Sequence, residues 1–286
     1  MSYKTSAIPL YIRYNFSIFH HYKVEQIMRH ITAPLFFLLT FSLFTSPSFA
    51  EESLWTTVKS DYSEFYSTDR FIRMGIIFAG GAVMANTSLD QNFQNDYQNK
   101  TRSTQTDDYA KTAKLFGEGK YLIPLSIISA YAGEYISGTT ESALGTWGQR
   151  TARAYFVGGP TVLATQILTG ASRPAEAPYK SDWKPFNDSN GVSGHAFIGS
   201  VPFLTIAYMN KDNAFIKYSA YLVSTFSAIS RINDDAHYLS QAMLGWYLGW
   251  ESVDAVYTVD SKKKNSLRIQ PVVGADSYGV QLSMLW

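Results

Sequence analysis

The sequence of 286 residues contains no cysteine. This absence excludes disulfide bonds, thiolate nucleophiles and cysteine-ligated zinc sites. An excess of charge of either sign is also lacking, because 24 basic side chains stand against 23 acidic ones. A chain with so little net charge has no global field that favours nucleic acid, and we expect no nucleic-acid partner. Its length is ample for a sizeable core.

Histidine is also scarce. The chain has five histidines, and three of them lie within the first 30 residues. If those three belong to a removable leader, the mature protein keeps only His195 and His237. Imidazole is the side chain best suited to proton transfer or nucleophilic attack near neutral pH. We therefore expect this pair to mark a catalytic site.

The leader is predicted from the order of its parts. Met28 is followed by a short basic region, an apolar stretch over 34–44, and small residues at Ser48 and Ala50. This order predicts a secretory signal peptide over 28–50, and hence an exported protein that is periplasmic or membrane-associated. An uncleaved anchor is the alternative, although the apolar stretch is short for a spanning helix. The sequence assigns no role to the residues before Met28, and translation starting at Met28 would account for them.

The body of the chain, residues 51–258, is predicted to be an all-α helical bundle of about six core helices. Apolar segments without period-two alternation cover roughly 71–86, 118–137, 150–170, 195–210, 213–230 and 237–257. Ahead of them, apolar and aromatic residues recur at helical spacing over 54–66. That helix either packs on the core or rests on a membrane surface.

Two segments between the apolar ones are predicted as loops. Residues 87–113 form the longest polar stretch, and residues 174–193 contain several prolines and an Asn-Gly turn signature. The charge-free stretch 154–172 is long enough to cross a bilayer. Charged residues interrupt the other candidates, and the mean hydropathy of −0.11 is low for several spans. We therefore favour a water-soluble or peripheral domain over a polytopic one.

The C-terminal part, residues 259–286, is predicted to be a linker followed by a β-hairpin. Residues 267–273 and 279–286 alternate in strand fashion around a turn at 274–278. The short basic run at 262–264 has no interleaved aromatic residues, and this composition predicts a solvated linker.

Three short blocks place the two histidines beside arginines at the ends of predicted helices. The blocks read Arg173-Pro174, Ser193-Gly194-His195 and Ser230-Arg231-x5-His237. The planar guanidinium group of arginine is the side chain best suited to bidentate hydrogen bonds with phosphate oxygens, and the free N–H groups at the start of a helix bind anions. The ends of separate helices can converge at one rim of a bundle. The blocks therefore predict a phosphate site with phosphoryl chemistry.

This pattern resembles the type 2 phosphatidic acid phosphatase superfamily, which includes bacterial acid phosphatases and vanadium haloperoxidases. The superfamily pattern is Lys-x6-Arg-Pro, then Pro-Ser-Gly-His, then Ser-Arg-x5-His-x3-Asp, and the resemblance covers about residues 115–250. It implies a phosphatase that acts on a lipid or small organic phosphate ester. No metal and no other cofactor is implied.

The resemblance also implies a role for each matched residue. His237 attacks phosphorus and forms a phosphohistidine, and His195 protonates the leaving oxygen. The residues implied to hold the phosphate oxygens are Arg173, Arg231, Ser193 and the amide of Gly194.

Three positions depart from the superfamily pattern, since Gln166 replaces the lysine, Val192 replaces the proline before Ser193, and Gln241 replaces the aspartate. Both glutamines belong to the predicted site. A glutamine oxygen can accept the Nδ1–H of His237 but adds no charge, and the analogous loss in serine proteases costs about 10⁴ in turnover. Asp234 and Asp235 either replace the aspartate or cap the last helix. The alternative function is a catalytically impaired relative that binds phosphate or a lipid headgroup, and the missing lysine disfavours a vanadate-dependent oxidase.

Overall fold

The structure is a computed structural model that describes residues 54–137, 142–176, 180–264, 267–273 and 278–284. Within these ranges the chain forms ten α-helices, a short 3-10 helix at Pro174–Glu176 and two strands. The helices are α1 (Leu54–Phe65), α2 (Thr68–Ala85), α3 (Ser88–Lys100), α4 (Thr104–Leu115), α5 (Gly119–Ser137), α6 (Ala143–Thr169), α7 (Gly194–Met209), α8 (Ala214–Ser224), α9 (Phe226–Asn233) and α10 (Leu239–Lys264). The all-α prediction is confirmed. The predicted leader, residues 1–50, lies outside the described residues.

The core is built around α6, α7 and α10, which pack on one another, while α5 packs along α6. Phe197 on α7 and Leu248 on α10 are almost fully buried in it. A Cβ atom at Gly245 would clash with the backbone oxygen of Ser193, so only glycine permits this close approach. Because Ser193 precedes α7 and Gly245 lies early in α10, the approach holds the second and third sequence blocks together.

The polar stretch 87–113 was predicted as a loop, and this prediction is wrong because the segment forms α3 and α4. Thr87 caps the start of α3, and Ser103 begins a capping box at the start of α4. The inward face of α3 is itself polar, with Asp90 and Gln94 buried. A helix of this kind shows no apolar periodicity, and so the apolar pattern misses it.

The apolar segment 213–230 was predicted as one helix, but it is divided at Thr225 into α8 and α9. The Thr225 hydroxyl donates a hydrogen bond to the carbonyl oxygen of Leu222 at 2.7 Å. A threonine hydroxyl that bonds back into the preceding turn competes with the helical pattern. The break therefore has a local cause that apolar spacing does not reveal.

The C-terminal linker is shorter than predicted, because α10 continues to Lys264. The basic run at 262–264 is the end of that helix, and Lys262 Nζ lies 2.7 Å from Glu64 Oε2. Beyond it, β1 (Leu267–Val273) and β2 (Tyr278–Met284) pair in antiparallel register. The hairpin thus occupies the predicted place.

The helix expected over 54–66 is α1, and its inner face packs on the core through Phe65, whose exposed fraction is 0%. Within the described residues, no single helix is both long and apolar enough to cross a membrane by itself. Among the described helices, only α2 and α3 taken together, with a bend of 68° between them, reach the required length and composition. The candidate span 154–172 falls largely in α6, where Ala154 and Val157 are fully buried.

Candidate functional site

Arg231 and His237 are joined by a tight turn that follows α9. The backbone N–H groups of Ala236 and His237 both donate to the carbonyl oxygen of Arg231, at 2.9 and 3.1 Å. Asp235 adopts the left-handed backbone conformation, with φ of 56°, which aspartate tolerates better than most residues. The five residues between Arg231 and His237 therefore form a single closed turn, which holds the two residues side by side.

Polar side chains of α3 support this turn and the start of α10. Asp90 Oδ1 accepts a hydrogen bond from the Ser240 N–H at 3.0 Å. Gln94 Nε2 donates to Asp235 Oδ1 at 2.6 Å, and Gln98 Nε2 donates to a carbonyl oxygen of α9 at 2.9 Å. These three side chains were not predicted, although their spacing of four residues was a signal that they share one helical face.

Gln241 lies behind His237 and fixes the tautomer of its imidazole. Its Oε1 accepts the Tyr238 N–H at 3.1 Å, and its Nε2 donates to the carbonyl oxygen of Ser172 at 2.9 Å. Because these backbone groups have fixed donor and acceptor roles, the side-chain oxygen must face His237, whose Nδ1 lies 2.9 Å away. Nδ1 therefore carries the proton, and Nε2 keeps its lone pair for attack on an electrophile.

Gln241 also connects the three sequence blocks. Its backbone oxygen accepts the Ser193 N–H at 2.9 Å, while its side chain binds Ser172, the neighbour of Arg173. Gln166 Nε2 donates to the carbonyl oxygen that precedes Ser193, at 2.9 Å. The superfamily pattern has a lysine and an aspartate at these two positions, whereas the two glutamine side chains here donate hydrogen bonds to backbone oxygens. They position the blocks without adding charge.

The environment of His237 keeps its imidazole neutral. The pKa of His237 is lowered to about 3, chiefly by burial, and the hydrogen bond that its Nδ1–H donates to Gln241 opposes this shift. The positive charges of Arg173 and Arg231 contribute to this lowering of the pKa. A neutral imidazole with a free Nε2 lone pair is the nucleophilic form, and it persists here from neutral to mildly acidic pH.

Both arginines of the pattern carry a buried donor that lacks a partner. Arg231 Nη1 pairs with Asp234 Oδ2 at 3.1 Å, and Arg173 Nη1 pairs with Glu176 Oε1 at 3.2 Å. The Nε atoms of both arginines are buried, and neither has a hydrogen-bond partner in the described part of the chain. Buried donors nearly always have partners, so these two fit an oxygen-rich ligand beside His237.

Asp234 and Asp235 do not take the place of the missing aspartate. Asp234 pairs with Arg231, Asp235 accepts from Gln94, and the Nδ1 of His237 faces Gln241. The capping alternative is also wrong, because Asp234 and Asp235 belong to the turn that ends α9. The carboxylate at the start of α10 comes instead from α3.

Ser193, Gly194 and His195 form the start of α7, as predicted. The Ser193 hydroxyl accepts a backbone N–H of the first turn at 3.3 Å, and the helix begins at Gly194. His195 Nε2 lies 3.5 Å from Glu118 Oε1, a contact that was not predicted. Burial and Arg231 lower the pKa of His195, whereas Glu118 raises it.

The hydrogen bonds and charge interactions therefore connect all the predicted site residues in one region of the bundle. Among the side chains that the structure describes, no group of three or more His, Cys, Asp or Glu residues is arranged to hold a metal ion. The groups that the site offers are two imidazoles, two guanidinium groups and the first N–H groups of α7. This set suits an anion with several oxygen atoms.

Comparisons with known proteins match the same region. Residues 152–265 match the family model of the PAP2 superfamily, and this range contains every residue from Gln166 to Gln241. The chain is also similar to the crystal structure of a transmembrane PAP2-type phosphatidylglycerolphosphate phosphatase from Bacillus subtilis. That match has 17% sequence identity, covers 73% of this chain and 95% of the other, and has a TM-score of 0.44. No curated protein matches the sequence.

Proposed function

We propose that this chain, whose residues 152–265 match the family model of the PAP2 superfamily, is an exported phosphomonoesterase that acts through a phosphohistidine. The substrate in this proposal is a lipid or small organic phosphate ester. One observation carries the proposal: the buried Nε groups of Arg173 and Arg231 have no hydrogen-bond partner among the described residues and lie beside a neutral His237. Two such donors suit the non-bridging oxygens of a phosphate ester.

In the first step, Nε2 of His237 attacks phosphorus. The nitrogen–phosphorus bond forms as the bond between phosphorus and the leaving oxygen breaks, and protonated His195 gives its proton to that oxygen. Arg173 and Arg231 offset the charge on the non-bridging oxygens, together with the N–H groups that follow Ser193. Such positioning and dispersed positive charge are what phosphoryl transfer chiefly requires.

In the second step, water attacks the phosphohistidine. His195, now neutral, takes a proton from the water, the nitrogen–phosphorus bond breaks, and inorganic phosphate leaves. His237 returns to its neutral form with the proton still on Nδ1, held by Gln241. His195 returns to its protonated form, and the cycle is complete without a cofactor.

The test is phosphate release by the purified full-length protein from p-nitrophenyl phosphate and from phosphatidate. His237→Ala removes the nucleophile and should lower the release by more than about 10³-fold. Brief reaction with a ³²P-labelled ester should label the wild-type protein with a phosphoryl group that is stable in alkali and lost in acid. His30→Ala, in the predicted leader, is the matched control and should release phosphate at the wild-type rate. Release that survives His237→Ala would overturn the proposal.

A second candidate is a binding protein for phosphate or a lipid headgroup, without turnover. It is favoured by the contacts of Gln166 and Gln241, which bind backbone oxygens and supply no charge. Such a protein would bind inorganic phosphate in a calorimeter and lose that binding in Arg231→Ala, yet release none from either ester. Turnover by the wild-type protein would exclude this candidate.

A lipid ester is favoured by the apolar side chains that the helices present outward. On α8, Phe215, Tyr218 and Leu222 are 82%, 65% and 62% exposed and share one helical face. Contiguous apolar surface of this kind marks interaction sites. We expect the triple change Phe215→Ser, Tyr218→Ser and Leu222→Ser to reduce pelleting with lipid vesicles and to leave p-nitrophenyl phosphate release unchanged. Unchanged pelleting would remove this face as a membrane contact.

A further inference from the structure

The turn between α4 and α5 brings a carboxylate to the imidazole of His195. Glu118 directly precedes α5, and its Oε1 lies 3.5 Å from His195 Nε2. Glu118 belongs to none of the three sequence blocks, and neither step of the proposed phosphoryl transfer uses it. Its side chain is only 24% exposed, and that of His195 is 33% exposed. Partial burial strengthens the interaction between two charged groups relative to bulk water.

Gly117 permits this approach of the turn to α7. A Cβ atom at position 117 would lie 2.9 Å from the backbone oxygen of His195 and would clash with the hydroxyl oxygen of Ser227. Ser227 itself donates to the backbone oxygen of His195 at 2.9 Å. The turn is therefore packed directly on the backbone of His195. This packing sets the distance between Glu118, the next residue in the chain, and the imidazole of His195.

His195 faces more positive charge than negative charge. The charged or titratable groups around the site are Lys114, Glu118, Lys120, Arg173, Arg231, Asp234 and His237. Burial, Arg231 and Lys114 each lower the pKa of His195, and Glu118 is the carboxylate that raises it. Asp234 is held by Arg231. Removal of Glu118 would therefore lower the pKa of His195 further.

We propose that Glu118 is a positioning residue, which orients His195 and favours its protonated form for proton transfer to the leaving oxygen. The inference rests on the proposed phosphatase function. An imidazolium has two N–H donors, so it can keep the contact with Glu118 and still offer a proton to the leaving oxygen. The proton moves from His195 to that oxygen as the phosphorus–oxygen bond breaks. Glu118 exchanges no proton in this step.

The test compares two leaving groups in Glu118→Gln, which keeps the shape of the side chain and removes its charge. Phenolate is a poor leaving group that needs the proton, whereas p-nitrophenolate leaves readily without it. We expect kcat/KM for phenyl phosphate to fall about tenfold and that for p-nitrophenyl phosphate to change by less than about twofold. The basic limb of the pH profile should also move to lower pH, because His195 loses its proton earlier.

Two further variants separate this role from a structural one. Glu118→Asp keeps the charge and should recover most of the activity on phenyl phosphate. Asp96→Asn removes a carboxylate that is 68% exposed on α3, and it should leave both substrates unaffected. Thermal unfolding of each variant checks that the fold is retained.

Proton NMR titration of the imidazole groups in the full chain gives a readout that does not depend on turnover. The pKa of His195 should fall in Glu118→Gln and stay near the wild-type value in Asp96→Asn. An unchanged His195 titration, or an equal loss on both substrates, would overturn the proposal. If the wild-type protein releases phosphate from neither ester, the proposed function fails and the acid role fails with it. The titration would then still show separately whether Glu118 controls His195.

Discussion

Buried arginine donors in two parts of the described structure are paired differently. The core ion cluster joins α1, α6 and α10 and consists of Asp61, Arg153 and Asp260. In it, Arg153 Nε and Nη2 donate to Asp61, and Arg153 Nη1 donates to Asp260 at 2.8 Å. At the candidate site, the Nε groups of Arg173 and Arg231 have no partner within the described residues.

This difference in donor pairing distinguishes arginines that stabilise the fold from arginines that are available to bind a ligand. A buried guanidinium whose donors are all matched by carboxylates has no capacity left for another anion. A buried guanidinium with an unmatched donor is costly to the fold unless a ligand completes it. Burial alone therefore does not identify a site, whereas the pairing of each donor does.

The largest effect on stability is expected from Arg153→Ala. Asp61, with an exposed fraction of 0%, would be left without its partner. Burial already raises the pKa of Asp61 above its usual value, although Arg153 opposes that shift. Removing one partner of a buried ion pair costs about 3–5 kcal/mol. Urea denaturation measures this loss in the free energy of unfolding.

Arg102→Ala is the matched control, since Arg102 lies on the surface and pairs with Asp107 at 2.8 Å. It should change the free energy of unfolding by less than about 1 kcal/mol. In Arg153→Ala, activity per folded molecule should stay near that of the wild type. A large loss of kcat/KM in the folded variant would mean that the core ion cluster also serves the ligand, and the comparison would fail.

Arg231→Ala should show the reverse pattern. The guanidinium has a partly exposed ion pair with Asp234 and an unpartnered Nε, so its removal leaves no buried carboxylate alone. Loss of one preorganised donor for the transition state costs about 10²–10³ in turnover. We expect kcat/KM for p-nitrophenyl phosphate to fall by that factor, with little change in urea stability. A variant that unfolds readily but retains its turnover would place Arg231 with the structural arginines.

The fold could be predicted where helices bury apolar side chains. The apolar segments gave α2, α5 and α7 to within three residues at each end, because packing on a core imposes helical periodicity. They missed seven residues at the start of α6 and seven at the end of α10. The same reasoning missed α3, whose buried face carries Asp90 and Gln94. Those side chains are buried because they satisfy backbone groups of another segment, a purpose that local sequence does not reveal.

The sequence could predict which arginines and histidines form the site, but not the hydrogen bonds and ion pairs that connect them to other segments. The order of arginines and histidines indicated which residues meet, since their spacing reflects local turns such as the one from Arg231 to His237. Asp234 and Asp235 were assigned by nearness in sequence, and both are engaged elsewhere. Glu118 was not assigned, because its contact with His195 spans 77 positions of the chain.

A smaller effect, on pH dependence, is expected from Gln241→Glu. His237 now has a neutral partner and a pKa of about 3, so the neutral nucleophile is present at pH 5. An ionised carboxylate at position 241 favours the imidazolium and raises that pKa, and the acid limb of kcat/KM then moves to higher pH. If the pKa of His237 rises until most of the imidazole is protonated at pH 5, kcat/KM at pH 5 should fall about tenfold relative to kcat/KM at pH 7.5.

Gln105→Glu makes the same chemical change on the exposed surface of α4 and should leave the pH profile unaltered. An identical acid limb in the wild type and Gln241→Glu would mean that residue 241 does not set the charge state of His237. The neutral glutamine would then carry only the positional role given by its contacts with Ser172 and Ser193.

The smallest effect is expected from Lys262→Ala, which tests whether distance or burial sets the strength of an ion pair. Lys262 Nζ lies 2.7 Å from Glu64 Oε2, the same distance that joins Arg153 to Asp61. Lys262 is 68% exposed, however, whereas Arg153 is 9% exposed. Water screens the exposed pair, so its loss should cost less than about 1 kcal/mol in urea denaturation, and less still at high salt. A loss equal to that of Arg153→Ala would show that short contacts stabilise this fold wherever they lie, and that burial is the wrong basis for separating the two regions.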